Sequence, residues 1–244
     1  MKLKYAFLSF TIALIFVVLV TAFPSNMIKI SAISTGFETS QIPTDTKDSF
    51  IYNINLQLIT EEPTKRTLSC FDVNENGDVA VGHSTGSSKK QNVCIYSSDG
   101  FFKYGYTFNC TGDFGIEWAG ENINIYFVRS DMIVSVALDG KILNVCEVED
   151  TIANNSYRNH RIYATEKKIQ NTTYSLKNNI GLLDWFAMSY SQIVAIDTSG
   201  NQNIIYDVSS TQITRTTALF IVILSALITA AFTIRSIVKV SSKT

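Results

Sequence analysis

Histidine and cysteine are scarce in this chain of 244 residues, and neither follows a metal-binding pattern. There are two histidines and four cysteines, and no two cysteines stand three positions apart. Structural zinc sites require four such ligands at short, regular spacings. The sequence therefore predicts no metal ion and no other cofactor. Outside the cytoplasm the cysteines can form disulfides, or they can remain buried thiols; they are Cys70, Cys94, Cys110 and Cys146.

Recognisable catalytic motifs are also missing. The chain has no Gly-x-Ser-x-Gly elbow, and no sequence context connects His83 or His160 with a nucleophilic Ser or Cys. Four carboxylates are candidates for acid–base chemistry, but spacing along strands does not define a pair that shares a cleft. We therefore expect that the chain is not an enzyme and has no catalytic residues. The four carboxylates are Asp113, Glu117, Asp131 and Asp184.

Acidic residues are absent from both ends of the chain. All 21 lie between Glu38 and Asp207, a span that holds 13 of the 20 lysines and arginines. The middle of the chain therefore carries about eight more negative than positive charges, whereas both ends are basic. Nucleic-acid binding favours a basic face, so the composition argues against a nucleic-acid partner.

Two long runs lack charge altogether and predict membrane helices. Ala6–Phe23 is 18 residues long and follows Lys2 and Lys4, which favours a transmembrane helix or signal anchor over residues 1–23. The alternative is a signal peptide cleaved after Ala22. Residues 216–236 form the second predicted helix, whose apolar run Ala218–Ile234 shows no polar stripe.

The basic residues at the membrane ends predict the topology. Five lysines and arginines lie at the two ends of the chain: Lys2 and Lys4 before the first helix, Arg235 at the end of the second, and Lys239 and Lys243 on the tail of residues 237–244. Because positive charge near membrane ends stays inside, both termini are predicted to be cytoplasmic and the central domain extracytoplasmic. The expected location is the cell membrane. The pairs Ser225/Thr229 and Ala226/Ala230 in the second helix would permit close packing with another helix.

The middle of the chain predicts an all-β domain. Residues 24–49 are rich in Ser and Thr and predict a linker. Alternating apolar residues from Phe50 to Leu58 predict a strand at the start of a β-rich domain over residues 50–210. Three repeats follow at residues 67–108, 109–150 and 173–210, and residues 151–172 form an insertion. Each repeat has a turn glycine before its last strand, at Gly100, Gly140 and Gly200.

These repeats resemble the blades of β-propellers of the WD40 or YVTN kind, over about residues 67–208. The resemblance implies four strands for each repeat. Closed propellers have about four to eight blades, so three repeats imply an open arrangement, or one completed by the first strand or by an oligomer. A twisted antiparallel sheet or sandwich is the alternative.

One further motif, Asp72-x-Asn74-x-Asn76-Gly77, matches half of a calcium loop. Because His83 stands where the loop needs Glu, the sequence favours a hairpin turn there.

The functional hypothesis is a membrane-tethered protein-interaction or sensing module. The alternatives are an extracytoplasmic hydrolase of envelope or extracellular polymers, and a structural subunit of a membrane complex. The expected partners are the lipid bilayer and other membrane or envelope proteins, with a homo-oligomer left open. Aromatic residues of the strands are expected to pack in the core rather than to form a binding face; they are Phe101, Phe102, Tyr104, Tyr106, Trp118, Tyr126 and Trp185.

Overall fold

The computed structural model describes residues 33–87, 89–187 and 189–241. The predicted N-terminal transmembrane helix (residues 1–23) and residues 24–32 of the predicted linker lie outside the described residues. Within the described ranges the chain forms three antiparallel sheets followed by one long apolar helix. The predicted all-β class with a C-terminal membrane-type helix is therefore confirmed at this level.

The folded domain starts earlier than the predicted boundary at residue 50. Strand β1 (Thr39–Ser40), helix α1 (Thr44–Ile54) and strand β2 (Gln57–Ile59) all precede the first repeat. The strand predicted over Phe50–Leu58 is wrong for most of its length, because α1 occupies it. Phe50, Ile51 and Ile54 pack on the core, whereas Tyr52 is 84% exposed. The apolar residues therefore follow helical spacing, which the alternation of residues 50, 52 and 54 concealed.

Sheets 1 and 2 are four-stranded meanders, each extended by a short strand at its outer edge. Sheet 1 contains β3 (Leu68–Val73), β4 (Val79–Ser84), β5 (Lys90–Tyr96) and β6 (Phe102–Asn109), and β2 pairs with β6. Sheet 2 contains β7 (Phe114–Ala119), β8 (Asn122–Phe127), β9 (Met132–Val136) and β10 (Ile142–Val148), and β1 pairs with β10. The turn glycines Gly100 and Gly140 have φ of +82° and +83°, the left-handed conformation that glycine adopts without strain.

Sheet 3 starts within the region predicted to be an insertion. After helix α2 (Ile152–Tyr157) and a π-turn (Arg158–Ile162), the hairpin of β11 (Glu166–Ile169) and β12 (Thr172–Lys177) supplies its first two strands. Strands β13 (Gln192–Ile196) and β14 (Gln202–Asp207) complete it. The apolar run over residues 182–188 in the third repeat predicts a strand from sequence, and this prediction is wrong. A 3₁₀ turn (Gly181–Phe186) lies there, and the Asp184 carboxylate accepts a hydrogen bond from the Ile180 N–H at 3.0 Å.

Sheet 1 packs between the other two sheets. One of its faces shares a core with sheet 2 that includes Ile95, Phe108 and Ile125, and its other face shares a core with sheet 3 that includes Phe71, Val81 and Ile193. Sheets 1 and 2 approach each other closely at Gly82, where an added Cβ would lie 2.9 Å from the Phe114 ring. The far face of sheet 2 is covered by residues 33–37 and by the segment that contains Tyr157 and Ile162.

Helix α3 (Ser209–Ser241) begins directly after sheet 3. The segment Ser209–Ala230 is long and apolar enough to cross a membrane, and only 6% of its apolar stretch of 18 residues is buried. A helix of a soluble core would bury one face, and this helix does not. Its first turns contact the domain, because Gln212 and Thr216 are buried and the Gln212 amide donates to the Asn178 side chain at 3.1 Å.

Candidate functional site

The three sheets meet along their first strands. Strand β3 lies against both β7 and β11, and residues at the C-terminal ends of these strands line one cavity of about 430 Å³. The three strands therefore run in the same direction toward it. We call this space the junction cavity; it is lined by Val73, Asn74, Glu75, Asn76, Trp118, Gly120, Glu121, Arg161 and Ile169.

A fully buried carboxylate lies beside the junction cavity. Asp72 of β3 accepts two hydrogen bonds from the Arg161 guanidinium, at 2.7 and 3.1 Å, and one from the Lys167 ammonium at 3.0 Å. The backbone N–H of Trp118 on β7 donates a further bond at 2.7 Å. Asp72 therefore joins sheet 1 to sheet 2, to sheet 3 and to the π-turn between them. Its two oxygens accept four hydrogen bonds, which is about as many as a carboxylate can accept.

The Asp72 carboxylate is shielded from water, so an unpaired charge at this place would be unfavourable. Its side chain is 0% exposed and that of Lys167 is 5% exposed, whereas Arg161 keeps 37% and reaches the cavity. Burial lowers the pKa of the Lys167 ammonium, and the adjacent Asp72 carboxylate acts in the opposite direction. A buried ion without its partner is strongly unfavourable. The ion pairs of Asp72 with Arg161 and Lys167 therefore stabilise the charged forms of these buried groups.

The mouth of the junction cavity combines an aromatic group with free carboxylates. The indole Nε1 of Trp118 is buried and has no hydrogen-bond partner in the described part of the chain. Glu75 and Glu121 are exposed at the rim, and neither forms an ion pair with a described residue. The rim carboxylates attract a cationic group, whereas deeper in the cavity the Arg161 guanidinium and the indole N–H are donors that suit a hydrogen-bond acceptor.

The hairpin turns around the cavity add to its negative field. Because the sheets are antiparallel meanders, the turns after their first and third strands lie at the end where the cavity opens. The turn before β6 touches the start of β14, since the Asn203 amide donates to the Ser98 carbonyl at 2.9 Å. The turns carry more acidic than basic residues, which raises the local concentration of cations. The acidic ones are Glu75, Asp78, Asp99, Glu121, Asp139 and Asp197.

The four carboxylates that the sequence offers for acid–base chemistry lie in separate surroundings. Glu117 is buried and accepts hydrogen bonds from the Thr35 hydroxyl, at 2.5 Å, and from the Tyr157 hydroxyl. Asp131 accepts from Tyr126 at 2.8 Å, and Asp184 caps the 3₁₀ turn. Asp113 lies at the opposite end of β7, before its first residue. The structure therefore does not join them in one site.

The cysteines and His83 are internal packing groups. All four cysteines are buried free thiols, and burial raises the pKa of Cys94 to about 12 and that of Cys110 to about 11. These thiols therefore stay protonated near neutral pH and are poor nucleophiles. His83 is 0% exposed and its Nε2 lies 3.5 Å from the Cys94 sulfur. Among the described residues no group of three His, Cys, Asp or Glu side chains can hold a metal ion.

The segment that resembles half of a calcium loop is a hairpin turn. The Asn74 side-chain oxygen accepts hydrogen bonds from the N–H groups of Asn76 and Asp78, at 3.0 and 2.8 Å. Gly77 closes the turn with φ of +80°. The amide oxygen that would face a cation is therefore occupied by the backbone, and the preference for a hairpin is confirmed.

The predicted aromatic core is confirmed only in part. Tyr106 and Tyr126 are buried, as expected, whereas Phe101 is 73% and Trp185 is 93% exposed. Trp118 is half-buried: it packs against the core that sheets 1 and 2 share, as expected, and it also borders the junction cavity.

Comparison of the chain with protein-family models, with curated proteins and with solved structures finds no match.

Removing the buried charge should destabilise the domain far more than removing an exposed one. We expect Asp72→Asn to cost about 3–5 kcal/mol, because it leaves Arg161 and Lys167 without compensation. The matched control is Asp78→Asn, which breaks the exposed 2.7 Å contact with Lys103 and should cost about 0–1 kcal/mol. Urea denaturation of the full chain in detergent, followed by fluorescence, measures both. Equal costs would contradict the role given to Asp72.

His83 should make the domain sensitive to mild acid. Burial lowers the pKa of its imidazole below the ordinary 6.5, so the unfolded chain takes up a proton at a pH where the folded chain does not. The free energy of unfolding should therefore fall as pH drops below about 6.5, by at most about 1.4 kcal/mol per pH unit from this residue. His83→Gln should flatten that slope, with His160→Gln as the control for loss of an exposed imidazole. An unchanged slope in His83→Gln would argue against it.

Proposed function

We propose that the chain is a membrane-tethered module whose β-domain lies outside the cytoplasm and recognises a ligand or partner at the junction cavity. The observation that carries this proposal is that the apolar helix and the junction cavity lie at opposite ends of the sheets. Strand β14 ends beside the start of β13, since Asp207 pairs with Gln192, and α3 starts there. The cavity, by contrast, opens where β3, β7 and β11 end.

The tether would have two spans. Helix α3 is the C-terminal one, and the uncharged run Ala6–Phe23 is the proposed N-terminal one. Basic residues outnumber acidic ones on both tails, which favours a cytoplasmic location for both termini. With the domain outside the membrane, the cavity would face away from the bilayer and be open to solutes and neighbouring proteins.

The domain would act as three blades of an open propeller. Each sheet is a four-stranded meander whose first strand is innermost, as in the blades that the repeats resemble. The junction cavity lies where the inner strands of the three sheets end. The proposed ligand carries a cation, such as a lysine side chain or a polyamine, because Glu75 and Glu121 form no ion pair with a described residue and the turns around the cavity are mainly acidic.

Reporter fusions test the topology. A reporter that requires export, inserted after Ser87 in the β4–β5 loop of the full chain, should read outside the cytoplasm, and the same reporter after Thr244 should read inside. The control is the chain with its C-terminal Arg and Lys residues replaced by Gln, which should weaken the preference. An inside result for the Ser87 fusion would overturn the proposed topology.

Fluorescence titration tests the ligand class. In Trp185→Phe the remaining Trp118 reports on the cavity, and we expect tetralysine to change its emission in a salt-dependent manner. The double variant Glu75→Gln/Glu121→Gln should weaken binding about tenfold, or about 1.4 kcal/mol. Glu147→Gln/Glu149→Gln removes the same charge at exposed positions on β10 and after it, and should bind as before. Equal losses in the two double variants, or equal binding of tetraglutamate, would contradict a cation site.

A further inference from the structure

The 3₁₀ turn Gly181–Phe186 lies beside the start of the apolar helix. It contacts α3, and the Gln212 amide donates to the carbonyl of Ser189 and, at 3.1 Å, to the side chain of Asn178. The loop that contains the 3₁₀ turn is thereby fixed to the first turn of α3. Its position relative to the helix is set by buried polar contacts.

The end of the contact with the domain marks where the helix becomes fully exposed. Gln212 and Thr216 are buried on one side of α3, and from Thr217 to Ala230 every residue is exposed. Arg215 is also the last charged residue before Arg235. The uncharged run between them is about 28 Å long at 1.5 Å per residue, close to a hydrocarbon core of about 30 Å. Charge and burial therefore place the membrane boundary close to Thr216.

The 3₁₀ turn beside this end of the helix carries an exposed tryptophan. Trp185 is 93% exposed, and apart from Gly181 and Asp184 the 3₁₀ turn is apolar in sequence. The Asp184 carboxylate is directed to the backbone of its own turn. Indole rings favour the headgroup level of bilayers, where the ring is shielded from water and its N–H can still bond.

We propose that the 3₁₀ turn Gly181–Phe186 is a second membrane contact, with Trp185 inserted into the bilayer at the headgroup level. This inference rests on the proposed tether, because it requires α3 to span the membrane. The contact would help to fix the angle between the domain and the bilayer, since it adds a point of attachment beside the one that α3 provides. The junction cavity would then be presented directly away from the membrane surface.

Quenching by brominated lipid tests the inference in the full chain. The chain contains two tryptophans, so Trp118→Phe leaves Trp185 as the sole fluorophore. In phosphatidylcholine liposomes with bromine at the acyl carbons nearest the headgroup, we expect its emission to fall by about half or more, because a ring at the headgroup level lies within reach of the bromines. Wild-type chain should show partial quenching, which covers the case in which Trp118→Phe fails to fold.

The control places a fluorophore at the other end of the domain. Phe101 is 73% exposed in the turn before β6, at the end where the cavity opens. The triple variant Trp118→Phe/Trp185→Phe/Phe101→Trp should keep its emission in brominated liposomes. Flotation of the same liposomes separates two kinds of failure. Chain that floats with no quenching of Trp185 would overturn the second membrane contact, whereas chain that does not float would overturn the tether itself.

Discussion

The buried carboxylate of Asp72 is the constraint on which the arrangement of the three sheets depends. It needs donors from outside its own strand, and it finds them on β7, on the π-turn and on β11. An alternative packing that moved any of these elements would leave a charge without a partner in a dry environment, at a cost of several kcal/mol. Apolar contacts between sheets are not directional and tolerate sliding. The charge cluster therefore supplies the directional part of the assembly and, through Arg161, also forms one wall of the junction cavity.

A second polar group, the Glu117 carboxylate, holds the segments that cover the outer face of sheet 2, the face on which no further sheet of the described chain packs. The far face of sheet 2 is covered by residues 33–37 and by the segment after α2, and both contact Glu117. Its carboxylate accepts hydrogen bonds from Thr35 and Tyr157, while Phe37 packs against the Tyr157 ring, with centroids 4.9 Å apart. These segments bury Ile133 and Cys146. Covering this face removes apolar surface from water in the way that a neighbouring sheet would.

The parts of the fold that could be predicted from sequence are those set by local chemistry. The turns at Gly100, Gly140 and Gly200 require positive φ and have it. Helix α1 was missed because Phe50, Ile51 and Ile54 satisfy helical spacing while every second residue is also apolar. The β11–β12 hairpin was missed because its turn contains Gln170 at φ +51° and no glycine, in a polar context.

For the site, Asp72 was noticed only as part of a calcium-like loop. It is the single charge in the strand Leu68–Val73, and such a residue needs a buried partner. The identity of the partners could not be predicted, because they lie almost a hundred residues later in sequence and only the tertiary structure brings them to Asp72.

The opposite locations of tether and cavity follow from the number of strands in each sheet. A meander of four strands reverses direction three times, so the chain leaves each sheet at the end at which it entered. The first strands of all three sheets enter at one end and point their C-terminal ends into the junction cavity at the other. A helix that continues from the last strand of such a sheet must start at the entry end, and α3 does so at Ser209. An odd number of strands in sheet 3 would bring the apolar helix to the cavity. The even number therefore places the apolar helix at one end of the domain and leaves the acidic turns and Trp118 at the other.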